Sequence, residues 1–562
     1  MLRNLFAKTE LLIIIGLACV PLFISLPYRV NIFLSWEGAY RISQGQVPFR
    51  DFGTPLGGMF WVIPAFFFKL FGPKLITLIK AQVLINIIAG LSFRSILVSL
   101  SVDKGLRLAS VLLFCLSYSF INFWPWYNHS VIVYELAALA CAFRYIRVDI
   151  SGTDGGIAGA RGRGAVLWLA GAGFLTVCSF LTKQDGGGMA FFIACAVLAV
   201  YGLLEKKWKP LLMYVGSFAL LLVLVILVFS KFGFGYWFNH GQAPHTARVS
   251  AWDIAEEFFG ASQWIKFYIF LVVVLIIVRF RNLSVLMADK KGVLLAVLTL
   301  GILGEASVFQ VTSYTPPDNN IFFHSFAFAC IFSMLGPLLP ESFGRPRLLG
   351  VVSAGVLLWW SGTWWKYTQR VVSRVLPHKE VAKSATGENV INRQTYQISR
   401  DTVKEIPMDQ WVECGLPAFD HINMPPSTAA GIHRLMEMDV VKRGRDGRMR
   451  VLNMSELTPL AVEIPFALER NSELPLWYHL GVGMFNRQAE VFETRIREHY
   501  YDLILFEYIP TLNNFYPFRV RDTLRQRYTQ VDSFLAPRRG IETQGMIEVY
   551  IKPADSTLAV GR

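Results

Sequence analysis

Apolar runs about as long as a bilayer is thick recur through the first two thirds of this chain, and that recurrence decides its fold class. A helix crossing the hydrocarbon core needs about 20 mostly apolar residues. Such runs lie at roughly 10–26, 75–98, 106–124, 129–147, 164–182, 187–204, 211–231, 264–280, 292–310, 322–339 and 348–365. The pattern predicts a polytopic α-helical membrane protein of about 11 spans over residues 1–367, with a long loop at 27–74 and a C-terminal α/β soluble domain at 368–562. Charged residues make up 17% of the 562 positions, against about 25% in soluble proteins, so an ordinary soluble enzyme is excluded. Basic residues precede the first run without a small-residue cleavage pattern behind it, which reads as an uncleaved first span.

Residues 1–375 hold 31 Lys and Arg against 16 Asp and Glu, while residues 376–562 hold 23 against 24. The positive excess therefore belongs to the membrane half. A nucleic-acid partner would be met by basic charge gathered on a soluble module, and none is expected. The basic loops fall on alternate sides of successive spans: Arg3 and Lys8, Arg94 with Lys104 and Arg107, Arg144 with Arg147, Lys206 with Lys207, Arg279 with Lys290, and Arg345 with Arg347. By the positive-inside rule this side is cytoplasmic. The N-terminus is then cytoplasmic, and loop 27–74 and the C-terminal domain lie outside a cytoplasmic (inner) membrane. Met59–Phe71 is apolar but short, holds Pro64 and ends at Gly72-Pro73, which fits a re-entrant or interfacial helix. Residues 250–262, with Trp252, Phe258 and Phe259 among acidic residues, fit a second surface helix.

Ionisable groups inside spans are costly, so their positions carry information. Lys80, Glu135, Lys183 and Glu305 all fall in the outer half of their spans. With Glu37, Arg41, Arg50 and Asp51 in the first outer loop, they predict a polar cavity opening outward; the alternative is snorkelling lysines and glutamates that are each protonated or privately paired. Asn128 and His129 open one span, and His240 and His245 lie in an outer loop where they either line the cavity or are solvated. Six of seven cysteines lie in apolar runs and Cys414 is alone in the tail, so no internal disulfide is expected there; no Cys/His cluster has zinc spacing.

The loop LSWEGAYRISQGQVPFRDFGTPLGGMFWVIPAFFFKLFGP (34–73) resembles the corresponding loop of bacterial GT-C glycosyltransferases, the group related to protein O-mannosyltransferases and the lipid A aminoarabinose transferase. The resemblance rests on an acidic residue after the first span, a following Tyr, the stretch G-x-x-P-F-R-D-F, and a short apolar helix ending L-F-G. Trp126-Tyr127-Asn128-His129, the stretch Gly173–Gln184, and Asp318-Asn319-Asn320 ahead of His324 extend it over most of residues 1–365. It implies transfer of a sugar from a polyprenyl-phosphate donor to a glycan, lipid or protein acceptor at the outer bilayer face, with inversion at the anomeric carbon. In that reading Lys183, helped by Gln184 and Arg50, meets the donor phosphate, and Glu37 or Asp51 is the base. Lys80, Asn128, His129, Glu135, Glu305, Asn320 and His324 would line the cavity. No cofactor is implied with certainty; a divalent cation is compatible, and its ligands are unknown. Relatives often carry Asp-Glu where this chain has Trp36-Glu37. Either Glu37 or Asp51 takes the base role, with Asp51 alternatively a loop-pinning residue, or the site is inactive.

The tail predicts a helix over 427–442 capped by Ser427, strands at 449–454, 502–508 and 545–553, and an amphipathic helix over 488–501. It shows no catalytic constellation and reads as a cover for the cavity, a holder of the acceptor, or a stabilising cap. A transporter, or a non-catalytic receptor binding ligand with the outer domain, are the competing classes. The former would need polar residues through both leaflets and internal repeats.

Overall fold

The computed structural model describes residues 2–29, 32–54, 56–118, 123–152, 158–232, 251–260, 263–312, 322–338, 342–359, 364–365, 368, 371–372, 406, 408–444, 447–476, 485–510, 517–538 and 545–553. Its first part is helical: α1 (Leu2–Cys19), α2 (Ile32–Ser43), α3 (Val62–Phe71), α4 (Leu75–Ser99), α5 (Lys104–Tyr118), α6 (Tyr127–Gly152), α7 (Ala158–Phe180), α8 (Gln184–Glu205), α9 (Lys209–Phe229), α10 (Ala251–Gly260), α11 (Gln263–Arg279), α12 (Leu283–Ala288), α13 (Lys290–Thr312), α14 (Phe322–Leu335) and α15 (Pro346–Trp359). A helix occupies every segment expected to span. Five of the apolar stretches are long and apolar enough to cross a membrane, or six if α10 and α11 form one broken span. The chain is a multi-pass membrane protein.

The helices pack through one continuous apolar core that includes Phe93, Phe114, Leu139, Val197, Leu298 and Phe326. Their outward faces remain apolar, as bilayer contact requires: α9 leaves Leu212, Leu220 and Leu227 exposed. Ion pairs gather at the helix ends remote from loop 27–74. Glu10, fully buried on α1, receives Arg94 at 2.6 Å and Arg107 at 2.8 Å. Lys207 meets Asp149 at 2.7 Å, Lys290 meets Glu205 at 2.7 Å, and Arg279 meets Asp289 at 2.5 Å. These are the basic groups that the sequence assigns to one side, here neutralised in pairs where a lone charge would be expensive.

Met59–Trp61 forms a 3₁₀ turn leading into α3, which buries Pro64, Ala65 and Phe68 and exposes Val62, Phe66, Leu70 and Phe71. An apolar outward stripe of this kind suits a helix at the membrane interface. Gly72 ends it at φ 81°, a left-handed conformation open to glycine at little cost, and the chain turns sharply into α4. α10 likewise exposes Trp252 and Phe259.

The tail contains strands β3 (Val412–Glu413), β4 (Ile422–Met424), β5 (Val451–Met454), β6 (Asn471–Pro475), β7 (Leu503–Tyr508), β8 (Thr529–Leu535) and β9 (Met546–Ile551). Two short strands of the first loop, β1 (Leu26–Pro27) and β2 (Phe52–Gly53), join them. The main sheet runs β5-β7-β9-β8, with β5 parallel to β7 and the other pairs antiparallel. Period-two alternation sends Leu503 and Leu505 of β7 to one face and Ile504 and Phe506 to the other. On the second face pack α19 (Phe485–Arg497) and α20 (Phe518–Arg527). On the first lie α16 (Pro426–Glu437), α17 (Asp439–Arg443) and α18 (Leu460–Glu463), together with the first loop itself.

The expected helix over 427–442 is corrected in two respects. Its N-cap is Pro425, without a side-chain cap bond, and Pro426 occupies the first turn, where a missing N–H costs nothing. Ser427 therefore does not cap it. Met438 then adopts an extended ψ of 139° and divides α16 from α17.

Loop and tail share one core. β1 pairs in parallel with β4, and β2 with β6. Tyr28, Trp36, Phe52 and Trp61 are buried in the same apolar cluster as Phe419, Ile432, Leu505 and Val549. The Tyr28 hydroxyl donates to the backbone carbonyl of Glu456. The tail thus lies on the same side of the helices as loop 27–74.

Candidate functional site

α7 ends at Phe180, and Lys183 adopts an extended conformation (φ −154°, ψ 127°) that breaks the helix before α8 begins. Its ammonium is held at 2.9 Å from Asp185 Oδ2, 4.9 Å from the centre of the Phe309 ring and 5.9 Å from that of Tyr127. Only 13% of the Lys183 side chain is exposed. Aromatic faces and one carboxylate offset the charge while leaving it able to attract an anion. Gln184 opens α8 beside it. One turn before Phe309 stands Glu305 on α13, and facing it Glu135 on α6, both fully buried and close enough to interact. Asp185 and Lys183 act electrostatically on Glu305 as well. The structure brings together three of the ionisable groups that sequence reasoning placed in one leaflet.

At the start of α6, Asn128 is buried with neither amide atom hydrogen-bonded among the described residues, and the His129 ring stands edge-on to Trp126 at 5.5 Å. Lys80 covers the Phe71 ring at 5.1 Å. His324 shares a 2.8 Å hydrogen bond with the Tyr268 hydroxyl and stacks on Phe323 within the bundle. Asn320, His240 and His245 lie outside the described residues.

Glu37 lies on α2, where Arg41, one turn later, directs Nε and Nη2 to its Oε1 at 2.9 and 2.7 Å. Trp36, at the position where the resemblance leads one to expect an acid, is fully buried; its indole N–H donates to Pro73 O, and its ring packs on Tyr40 and Phe68. Trp36 is a core residue of the loop. Asp51 Oδ2 accepts the Val47 amide at 2.7 Å and Arg50 Nη2 at 2.7 Å. The Arg50 hydrogen bond, helped by the Val47 amide and the Arg50 and Arg470 charges, outweighs partial burial and holds the Asp51 carboxyl below its ordinary value. Arg50 is in turn held charged by that hydrogen bond. Both groups of this pair are engaged in fixing the loop.

Residues 49–59 tie the loop to the Lys183 turn. Phe49 packs on Phe180 and Leu181. Gly57 donates its N–H to Thr182 O at 3.2 Å and approaches so closely that a Cβ there would fall 1.6 Å from Leu181 O. Tyr134 of α6 donates to Met59 O, and Trp61 donates to Leu34 O, linking this docked segment back to α2. Asp185 is the functional candidate that sequence reasoning missed. Its signal was an acid in the first turn of a helix, where the dipole favours negative charge. Among the described residues no group of three His, Cys, Asp or Glu side chains is arranged to hold a metal ion.

No family model matches this sequence, and no curated protein matches it. Among solved structures, a crystal structure of ArnT from Cupriavidus metallidurans bound to undecaprenyl phosphate is similar, with a TM-score of 0.46 and 13% identity over 97% of each chain. The apo state of the same protein is similar with a TM-score of 0.42 and 12% identity, again over 97% of each chain.

Proposed function

We propose that this chain is a GT-C type glycosyltransferase that moves a sugar from a polyprenyl-phosphate donor to an acceptor outside the cytoplasm, with inversion. In this reading residues 1–367 form an eleven-span transferase domain and residues 368–562 an extracytoplasmic domain. The observation that carries it is the Lys183 ammonium, held on aromatic faces at a helix break and tied by the docked 49–59 segment to a loop bearing Glu37. A lipid-linked donor needs such a cation, because negative charge grows on the phosphate as the glycosyl bond breaks. The acceptor hydroxyl needs a carboxylate to take its proton. Glu37 is the better base. Among the described residues each carboxylate is held through one oxygen, but Glu37 Oε1 accepts only from the Arg41 side chain, whereas Asp51 Oδ2 also accepts the Val47 backbone N–H and so pins the loop.

The purified chain in lipid nanodiscs, given polyprenyl-phosphate sugars and an envelope extract that supplies acceptor hydroxyls, should move the sugar onto the acceptor and release polyprenyl phosphate. Deletion cells should accumulate the lipid-linked sugar and lose a surface glycan. Unchanged lipid-linked sugars and unchanged surface glycans in the deletion strain would overturn the reading.

A further inference from the structure

We propose that Arg41 is a positioning residue for Glu37 and that the tail sets its position through residues 468–476. The inference deepens the transferase reading and rests on Glu37 as its base.

Four of the five guanidinium N–H directions of Arg41 are used. Nε and Nη2 both reach Glu37 Oε1, and Nη1 reaches Gln46 Oε1 at 3.0 Å and the backbone carbonyl of Glu469 at 2.9 Å. The flat of the group lies 5.3 Å from the Phe52 ring centre. Gln46 closes the arrangement: its amide donates to Leu468 O at 3.0 Å, and its backbone N–H donates to Arg41 O at 2.9 Å. Two consecutive tail carbonyls therefore fix Arg41 and Gln46 from the side opposite Glu37.

The tail segment is itself anchored. Glu469 Oε2 binds Arg495 Nη1 of α19 at 2.5 Å. Asn471 N donates to Asp51 O at 2.7 Å, and Leu476 N donates to Gly53 O at 2.9 Å. The order of support runs from α19, through Glu469 and Arg41, to one oxygen of the Glu37 carboxylate. That oxygen is held while, among the described residues, no hydrogen bond reaches Oε2, which leaves Oε2 as the oxygen of a fixed base that takes the proton of an acceptor hydroxyl. A lysine has neither the planar fork nor the reach to replace it.

The test is a mutant cycle on the full-length chain in nanodiscs with an envelope extract supplying acceptor hydroxyls, reading kcat and donor KM for release of polyprenyl phosphate. The variants are Arg41→Lys and Gln46→Leu, each alone and combined with Glu37→Gln, with thermal stability measured for all. Each single change should lower kcat by about 10- to 100-fold, the scale of a misplaced reacting group, with donor KM retained. In the Glu37→Gln background neither change should lower kcat further. A merely structural role would give losses that multiply in that background, and that result overturns the proposal. Unchanged kcat in both single variants, with Glu37→Gln impaired, overturns it too while leaving the base intact. Full activity of Glu37→Gln is a different failure, since it removes the base reading on which the proposal rests.

Discussion

Lys183 and Asp185, two residues apart, close a 2.9 Å ion pair across the helix break between α7 and α8, and both side chains are largely buried. An arriving phosphate must compete with Asp185 for the same ammonium. Lys183→Ala should therefore raise donor KM steeply or abolish turnover, while Lys183→Arg keeps part of the activity. Asp185→Asn removes the competing anion and should lower donor KM. Steady-state kinetics with donor varied checks all three, and unchanged donor KM in Lys183→Ala would sink the phosphate assignment.

The base is tested separately from binding. Glu37→Gln keeps the shape and the Arg41 contact but cannot take a proton, so kcat should fall by about 10²-fold or more with donor binding retained. Asp51→Asn should act on folding first, because its carboxylate holds Val47 and Arg50 in place. If instead Asp51→Asn is folded, binds donor and is dead while Glu37→Gln is active, the two roles are exchanged.

Asp51 also makes a pH-dependent contribution whose sign follows from its lowered pKa. A carboxyl depressed in the folded state contributes stability above its unfolded value and loses it as pH falls through the folded value. Thermal unfolding of the parent between pH 7 and pH 3 should show this loss, confined to the acid end of the range. Asp51→Asn should be less stable at neutral pH, and its difference from the parent should shrink on acidification. A difference constant across the range would contradict the ion-pair role.

How much of this was legible in the sequence depended on the length of the signal. The membrane helices are written as long apolar runs, and strands β7 and β9 as short apolar, β-prone runs within 502–508 and 545–553. β1 and β2 were not legible, because two residues cannot display a period, and their partners β4 and β6 lie in the tail. Trp36 read as a lost acid, since a motif comparison cannot tell a missing catalytic group from a core position; its burial against Tyr40 and Phe68 does. For Glu135 and Glu305 the sequence shows only a shared depth, because depth follows from each span alone whereas contact depends on how α6 and α13 are packed.

Gly57 tests whether the loop must dock on the Lys183 turn. The atom that an added Cβ would strike is the backbone carbonyl of Leu181, which cannot rotate away. Gly57→Ala should therefore push residues 49–59 off the turn, costing roughly 1–3 kcal/mol as overpacking does and raising donor KM. Gly16, with nothing within 4 Å of an added Cβ, is the control, and Gly16→Ala should leave both properties unchanged. Equal behaviour of the two variants would show that the docked contact is dispensable.

The last prediction concerns sidedness. Basic loops alternate along the sequence, and the positive-inside rule assigns their side to the cytoplasm. The tail and loop 27–74 share one core through β1–β4 and β2–β6, so they must lie together whichever face they occupy. A reporter active only in the cytoplasm should be silent when fused after Arg562 and active when inserted after Asp154, between α6 and α7. Activity after Arg562 together with silence after Asp154 would invert the whole assembly and put Lys183 on the cytoplasmic face. Activity at both sites would contradict the alternation itself, since the shared core does not let the tail leave the side of the first loop.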